Sequence, residues 1–204
     1  QIGLSGANYG TSGQVLTSQG ASAAPQWATA AGGMSEYDVW TISDNGTGDE
    51  WDWGIIGGTN NGAYGNNDTI ITRCTTTQNP SFTKLGTGMS YSAGVWTFPS
   101  TGYWEIIANV TGQASGGNQL SMTVDYSADG GSSWRGAVGS YGAIDYKMSS
   151  GDLGVYTQII MNTYMHITNA SNQKIRYLYK NNGTGNFNGN TNNIGSCFTF
   201  KKVA

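Results

Sequence analysis

The stretch YWEIIANVT (103–111) places Trp104, Ile106, Ala108 and Val110 on one side of an extended chain. Successive side chains of a strand point to opposite faces, so this period of two predicts a strand with one face in a core. LSMTVDY (120–126) repeats the pattern, with Leu120, Met122, Val124 and Tyr126 on one face and Ser121, Thr123 and Asp125 on the other. VWTF (95–98), KIRYLYK (174–180) and CFTFK (197–201) behave likewise, and turns containing Gly or Asn separate the runs. No helix-period segment of useful length interrupts them. The expectation is an all-β, antiparallel β-sandwich.

Composition agrees. Of 204 residues 32 are Gly, only 10% are charged and 12% are aromatic. Aromatic and β-branched residues suit a pleated surface, while Gly and Asn suit tight turns. Residues 1–33 carry no charge and few large apolar side chains. Alone they cannot bury enough surface to offset their ordering entropy, so they are expected as an extended Gly/Ser/Ala-rich arm, with the sandwich spanning 34–204. The first residue is Gln1, which suggests a piece of a longer chain or a processed product.

The net charge is −3, with seven of the twelve acids between Glu36 and Asp68 and no base before Arg73. The later basic residues are too sparse for a nucleic-acid footprint, and no run of about 18 apolar residues suits membrane insertion. Cys74 and Cys197 are too few for a disulfide scaffold in a chain of this size and are expected as free, buried thiols.

The hairpin YSADGGSSW (126–134) has the spacing of an Asp-box, Ser127-x-Asp129-x-Gly131-x-x-Trp134. A sialidase propeller repeats that box at blade spacing and needs an arginine cluster. Here it occurs once, and Arg73, Arg135 and Arg176 are the only arginines. A turn with glycines at positive φ is expected, with no catalytic role. His166 is the only histidine, so one chain cannot build a triad or zinc cluster around it. GDEWDW (48–53) sets Asp49, Glu50 and Asp52 beside Trp51 and Trp53, but its spacing matches no defined calcium loop. Glu105 and Asp125 lack an accompanying catalytic group. No enzyme, metal or cofactor is expected.

Two stretches carry a resemblance. GTSGQVLTSQGASAAPQW (10–27) resembles a segment that recurs in bacteriophage tail fibres and other virion appendages, on Gly10, Gly13, Gln14, Val15, Leu16, Ser18, Gly20, Pro25 and Trp27. YSAGVWTFPSTGYWEIIANV (91–110) is similar to the second and third strands of the tumour-necrosis-factor-like, complement-type jelly roll, on Gly94, Trp96, Pro99, Gly102, Trp104 and Ile106. SCFTFKKVA (196–204) resembles the closing strand, without the glycine that often splits its aromatic pair. Together the resemblances imply a homotrimeric virion appendage, the distal part of a tail fibre or horn-like fibre. It would join other virion structural proteins through its N-terminal side and attach to a host-surface glycan or protein. A stand-alone carbohydrate-binding module is the alternative.

VYTQIIMNTYMHI (155–167) fits that implication. One face carries Val155, Ile159, Met161, Met165 and Ile167; the other carries Tyr156, Ile160, Tyr164 and His166, too apolar for solvent. In the jelly roll of this resemblance the corresponding strand lines the threefold axis, which makes Tyr156, Ile160, Tyr164 and His166 the expected trimer interface. Counting strands back from a closing strand beside the first sends the loop 181–193 to the far end, with 148–153 and 112–119. The hairpin 127–134 falls at the stalk end, where no binding role is expected of it. Within the far loop, Asn181, Asn182, Asn186, Phe187, Asn188 and Asn190 are the candidate receptor contacts, because amides pair with sugar hydroxyls and an aromatic stacks on a pyranose.

Overall fold

The computed structural model of the chain describes residues 9–29, 33–42, 46–49, 54–55, 71–74, 84–115, 120–136, 155–181, 184–187 and 196–203. Contacts divide it into two compact units, Gln1–Gly33 and Met34–Ala204. Within the first, β1 (Gln14–Thr17) pairs antiparallel with β2 (Gln26–Thr29), so the stretch expected as an extended arm doubles back into a hairpin. Gly10 packs against Trp27, where a Cβ would stand 2.7 Å from the indole.

In the second unit the strands run β3 (Glu36–Ile42), β4 (Gly46–Asp49), β5 (Gly54–Ile55), β6 (Ile71–Arg73), β7 (Ser90–Ser92), β8 (Val95–Thr97) and β9 (Gly102–Ser115). They continue as β10 (Leu120–Ser127), β11 (Arg135–Gly136), β12 (Val155–Ile167), β13 (Lys174–Asn181), β14 (Thr184–Phe187) and β15 (Cys197–Lys202). Every pairing is antiparallel. One sheet has the order β11-β10-β13-β8-β7, with β5 on the far part of β13. The other runs β12-β9-β15-β3-β6; β14 pairs with β9 past the end of β15, at Gly112–Ser115, and β4 pairs with β14.

The two sheets face each other across an aromatic core, and the alternation read from the sequence decides what enters it. Trp104, Ile106, Ala108 and Val110 are buried from β9, and Met122 and Val124 from β10. Trp96 of β8 lies 5.3 Å from Phe198 and 5.9 Å from Phe200 of β15, centroid to centroid, so both aromatics of the closing strand enter the core. Tyr177 meets Trp96 edge-on at 5.2 Å. Burying such a ring contributes about 1.5–3 kcal/mol from apolar area alone.

Where β3 meets Arg73 of β6 and bridges to Leu85, buried Asp38 anchors the segment before β7. Its carboxylate accepts from Arg73 Nε at 2.9 Å, Trp40 Nε1 at 3.0 Å and the Met89 amide at 2.8 Å, while Arg73 Nη2 donates to the Met89 carbonyl. Both cysteines are free; Cys74 is buried and Cys197 only half-buried. Burial pushes the Cys74 thiol up to about 12 and raises that of Cys197.

Candidate functional site

β12 pairs with β9 along its whole length, from Val155 opposite Ala114 to Ile167 opposite Gly102. Its inward residues Ile159, Met161 and Ile167 are buried in the sandwich. On its outward face Ile160 is 58% and Tyr164 64% exposed, and His166 is exposed as well. Among the described residues no strand covers the second edge of β12. Tyr156 lies in the same strand, its side chain outside the described residues.

β9 contributes the neighbouring column. Tyr103, 50% exposed, stands directly opposite His166, and the two rings stack at 4.2 Å and 7°. Sequence reasoning missed Tyr103, because its place beside His166 follows only from the register of two distant segments. Glu105 is opposite Tyr164 and collects three donors: Lys201 Nζ at 2.7 Å, Tyr164 Oη at 2.9 Å and Asn162 Nδ2 at 3.3 Å. The Lys201 hydrogen bond, then that of Tyr164, holds the Glu105 carboxyl below its ordinary range. In turn the carboxylate raises the pKa of Lys201 and of Tyr164. The result is an exposed surface of aromatic and aliphatic groups around a fixed, internally paired charge cluster. It can bind another apolar surface; nothing in it resembles a nucleophile with its base.

The other candidate residues fall elsewhere. The stretch 181–193, expected as a loop, is in part a strand. Asn181 ends β13, while Asn186 and Phe187 belong to β14, which pairs with Gly112–Ser115 of β9 on one side and with β4 on the other. Its composition reads as turn, but partners on both sides satisfy the backbone whatever the side chains, and context overrides propensity. Asn182, Asn188 and Asn190 lie outside the described residues, as do Glu50–Trp53 of GDEWDW; Asp49 ends β4. Among the described residues no three His, Cys, Asp or Glu side chains gather as a metal group. Glu105 and Asp125 alternate with core residues of different sheets, so they point away from the sandwich on opposite sides.

The hairpin at 127–134 has the internal bonding of an Asp-box. Ser127 Oγ accepts from the Gly131 amide at 2.8 Å, and Asp129 Oδ1 accepts from the Ser133 amide at 2.9 Å. Hydrogen bonds donated to Asp129 by the Ser133 hydroxyl first, then by the Ser133 amide and the Ser127 hydroxyl, hold its carboxyl far below the ordinary range. The hairpin stands at the Ile167–Lys174 end of the sandwich, the end at which β15 finishes.

No family model matches the chain, and no curated protein does. Solved structures do. Murine APRIL at pH 5.0 superposes with a TM-score of 0.54 and 8% identity, covering 82% of this chain and 98% of that one. Eiger TNF from S. frugiperda gives 0.55 and 8%, covering 82% and 92%. The fold is a tumour-necrosis-factor-like jelly roll. In that jelly roll the surface around Ile160 and Tyr164 is the outward face of the sheet that contains both the first and the closing strands of the head.

Proposed function

We propose that this chain is the distal, homotrimeric part of a virion appendage, a phage tail fibre or horn-like fibre, whose jelly-roll head attaches to the host surface. The observation that carries the trimer is the pair Ile160 and Tyr164, exposed in the middle of a strand whose other face is core. Folds of this type assemble as trimers through that sheet, and burying each of these side chains would contribute about 1.5–3 kcal/mol. The virion reading is supported by residues 10–27 and their resemblance to a tail-fibre segment. On this reading residues 1–33 face the rest of the particle, and Asn181, Asn186 and Phe187 belong to the end that meets the host.

Light scattering after size exclusion tests the assembly. A mass near 64 kDa, three times 21.5 kDa, supports the appendage, and one near 21.5 kDa supports a monomeric carbohydrate-binding module. Immunogold labelling of intact particles tests the location: absence of label sinks the virion reading. Removal of residues 1–33 should leave a cooperatively unfolding head, and an unfolded product would make that segment part of the core.

A further inference from the structure

On the opposite side of the sandwich lies a cleft of about 370 Å³, within the range that starts near 300 Å³ for small-ligand sites. Its floor is a grid set by the register of three strands. One row is Ser90, Thr97 and Lys174, each directly opposite the next; the second is Ser92, Val95 and Arg176. The Asp-box hairpin forms the wall through Gly130, Gly131 and Trp134. Two adjacent glycines leave the wall without side chains there, so a ligand can approach backbone.

The chemistry of the grid is directional. Arg176 is held from two sides: Nε and Nη2 donate to Asp125 Oδ2 at 3.1 and 2.8 Å, and the guanidinium lies 4.4 Å from the Trp134 ring centroid. Two of its five N–H groups are thus engaged, and the rest remain for a ligand. Among the described residues Lys174 has no ion-pair partner, and the Ser90, Ser92 and Thr97 hydroxyls bond to nothing. Among the described residues no acidic side chain lines the cleft. Two cations at one end, three hydroxyls that both donate and accept, and the apolar patch of Val95 between them ask for one carboxylate on a small polyhydroxylated ring.

The geometry points to a non-catalytic binding site for an acidic monosaccharide unit, a hexuronate-type sugar, between β7–β8–β13 and the Asp-box hairpin. The carboxylate sits on Lys174 and Arg176, and the ring hydroxyls on Thr97, Ser90 and Ser92. The hairpin whose sequence spoke for a turn without a binding role therefore supplies a wall of a site. This inference does not depend on the virion reading and is tested on the purified full chain.

Titration calorimetry with methyl glucuronide and its neutral counterpart methyl glucoside separates the possibilities. The glucuronide should bind in the millimolar range and at least about fivefold more tightly than the glucoside, since a charge-assisted hydrogen bond is roughly twice as strong as a neutral one. Lys174→Gln should cost the glucuronide about tenfold and leave the glucoside unchanged, while Lys174→Arg should retain binding. Amide shifts on titration should centre on 90–97 and 130–134. Equal affinity for the two sugars, no effect of Lys174→Gln in a variant of unchanged melting temperature, or shifts centred elsewhere would each overturn the assignment. So would an absence of binding up to about 50 mM, where even weak sugar sites register. A glutamate-rich peptide that binds where the glucuronide does not would assign the cleft to protein instead.

Discussion

Tyr164 donates its phenol to Glu105 at 2.9 Å, directly across the β9–β12 pair, and Lys201 reaches the other oxygen of the same carboxylate. Folding therefore lowers the pKa of Glu105 from its ordinary value of 4.5. A carboxyl whose pKa falls on folding stabilises the native state above the unfolded value and loses that contribution as pH drops through the folded value. Glu105→Gln should thus be less stable than the parent at pH 7, and the gap should close as the pH is taken below 4.5 toward the lowered folded value. Urea melts across that window provide the check, and a gap independent of pH would show that the charge contributes nothing.

Ile160→Lys places a cation on the outward face of β12, and threefold assembly would bring three of them together. Burying like charges without partners costs several kcal/mol. The variant should elute as a monomer with the β-sheet content of the parent, because Ile160 is not part of the sandwich core. A trimer of unchanged melting temperature would displace the interface from this strand.

Tyr177 is fully buried, and among the described residues neither its hydroxyl nor the indole N–H of the neighbouring Trp96 has a hydrogen-bond partner. A buried unpaired polar group carries a desolvation cost of about 1–3 kcal/mol. Tyr177→Phe keeps the ring contacts with Trp96 and Phe198 and removes the hydroxyl, so it should be neutral or stabilising by about 1 kcal/mol. A loss of more than about 1 kcal/mol in chemical denaturation would reveal a partner, such as an internal water.

Between β7 and β8 the chain turns through Ala93 at φ 47° and Gly94 at φ 82°. Two central residues with positive φ form the hairpin turn that matches strand twist, which favours Asn-Gly. An alanine in the left-handed region costs roughly 1 kcal/mol or more. Ala93→Asn should raise the melting temperature by about 2–4 °C, the equivalent of 1 kcal/mol in a domain of this size. An unchanged or lower value would refute strain at Ala93.

Much of this architecture was legible because one face of each strand meets the core. The alternation in 103–111 and 120–126 names Trp104 and Val124 as core, and the two-sided pattern of 155–167 singles out Tyr156, Ile160, Tyr164 and His166, of which Ile160, Tyr164 and His166 are exposed. What stayed hidden depends on register. The Tyr103–His166 stack joins residues 63 positions apart by their pairing in β9 and β12. The grid of Ser90, Thr97 and Lys174 exists only once three strands are aligned. β14 was lost for the opposite reason: Thr184–Phe187 has no side-chain pattern of its own and is a strand because β4 and β9 flank it.

The pairing of β3 with β15 also has a mechanical side. Glu36 stands opposite Lys202, so the chain enters and leaves the head at neighbouring points of the same sheet. Tension applied between those two points pulls along the hydrogen bonds and opens them one after another, starting with the outermost pair. A tether gripping the head at both points would therefore unzip it at low force. Load carried through the entering end alone, with resistance spread over the sheets, avoids that weak direction.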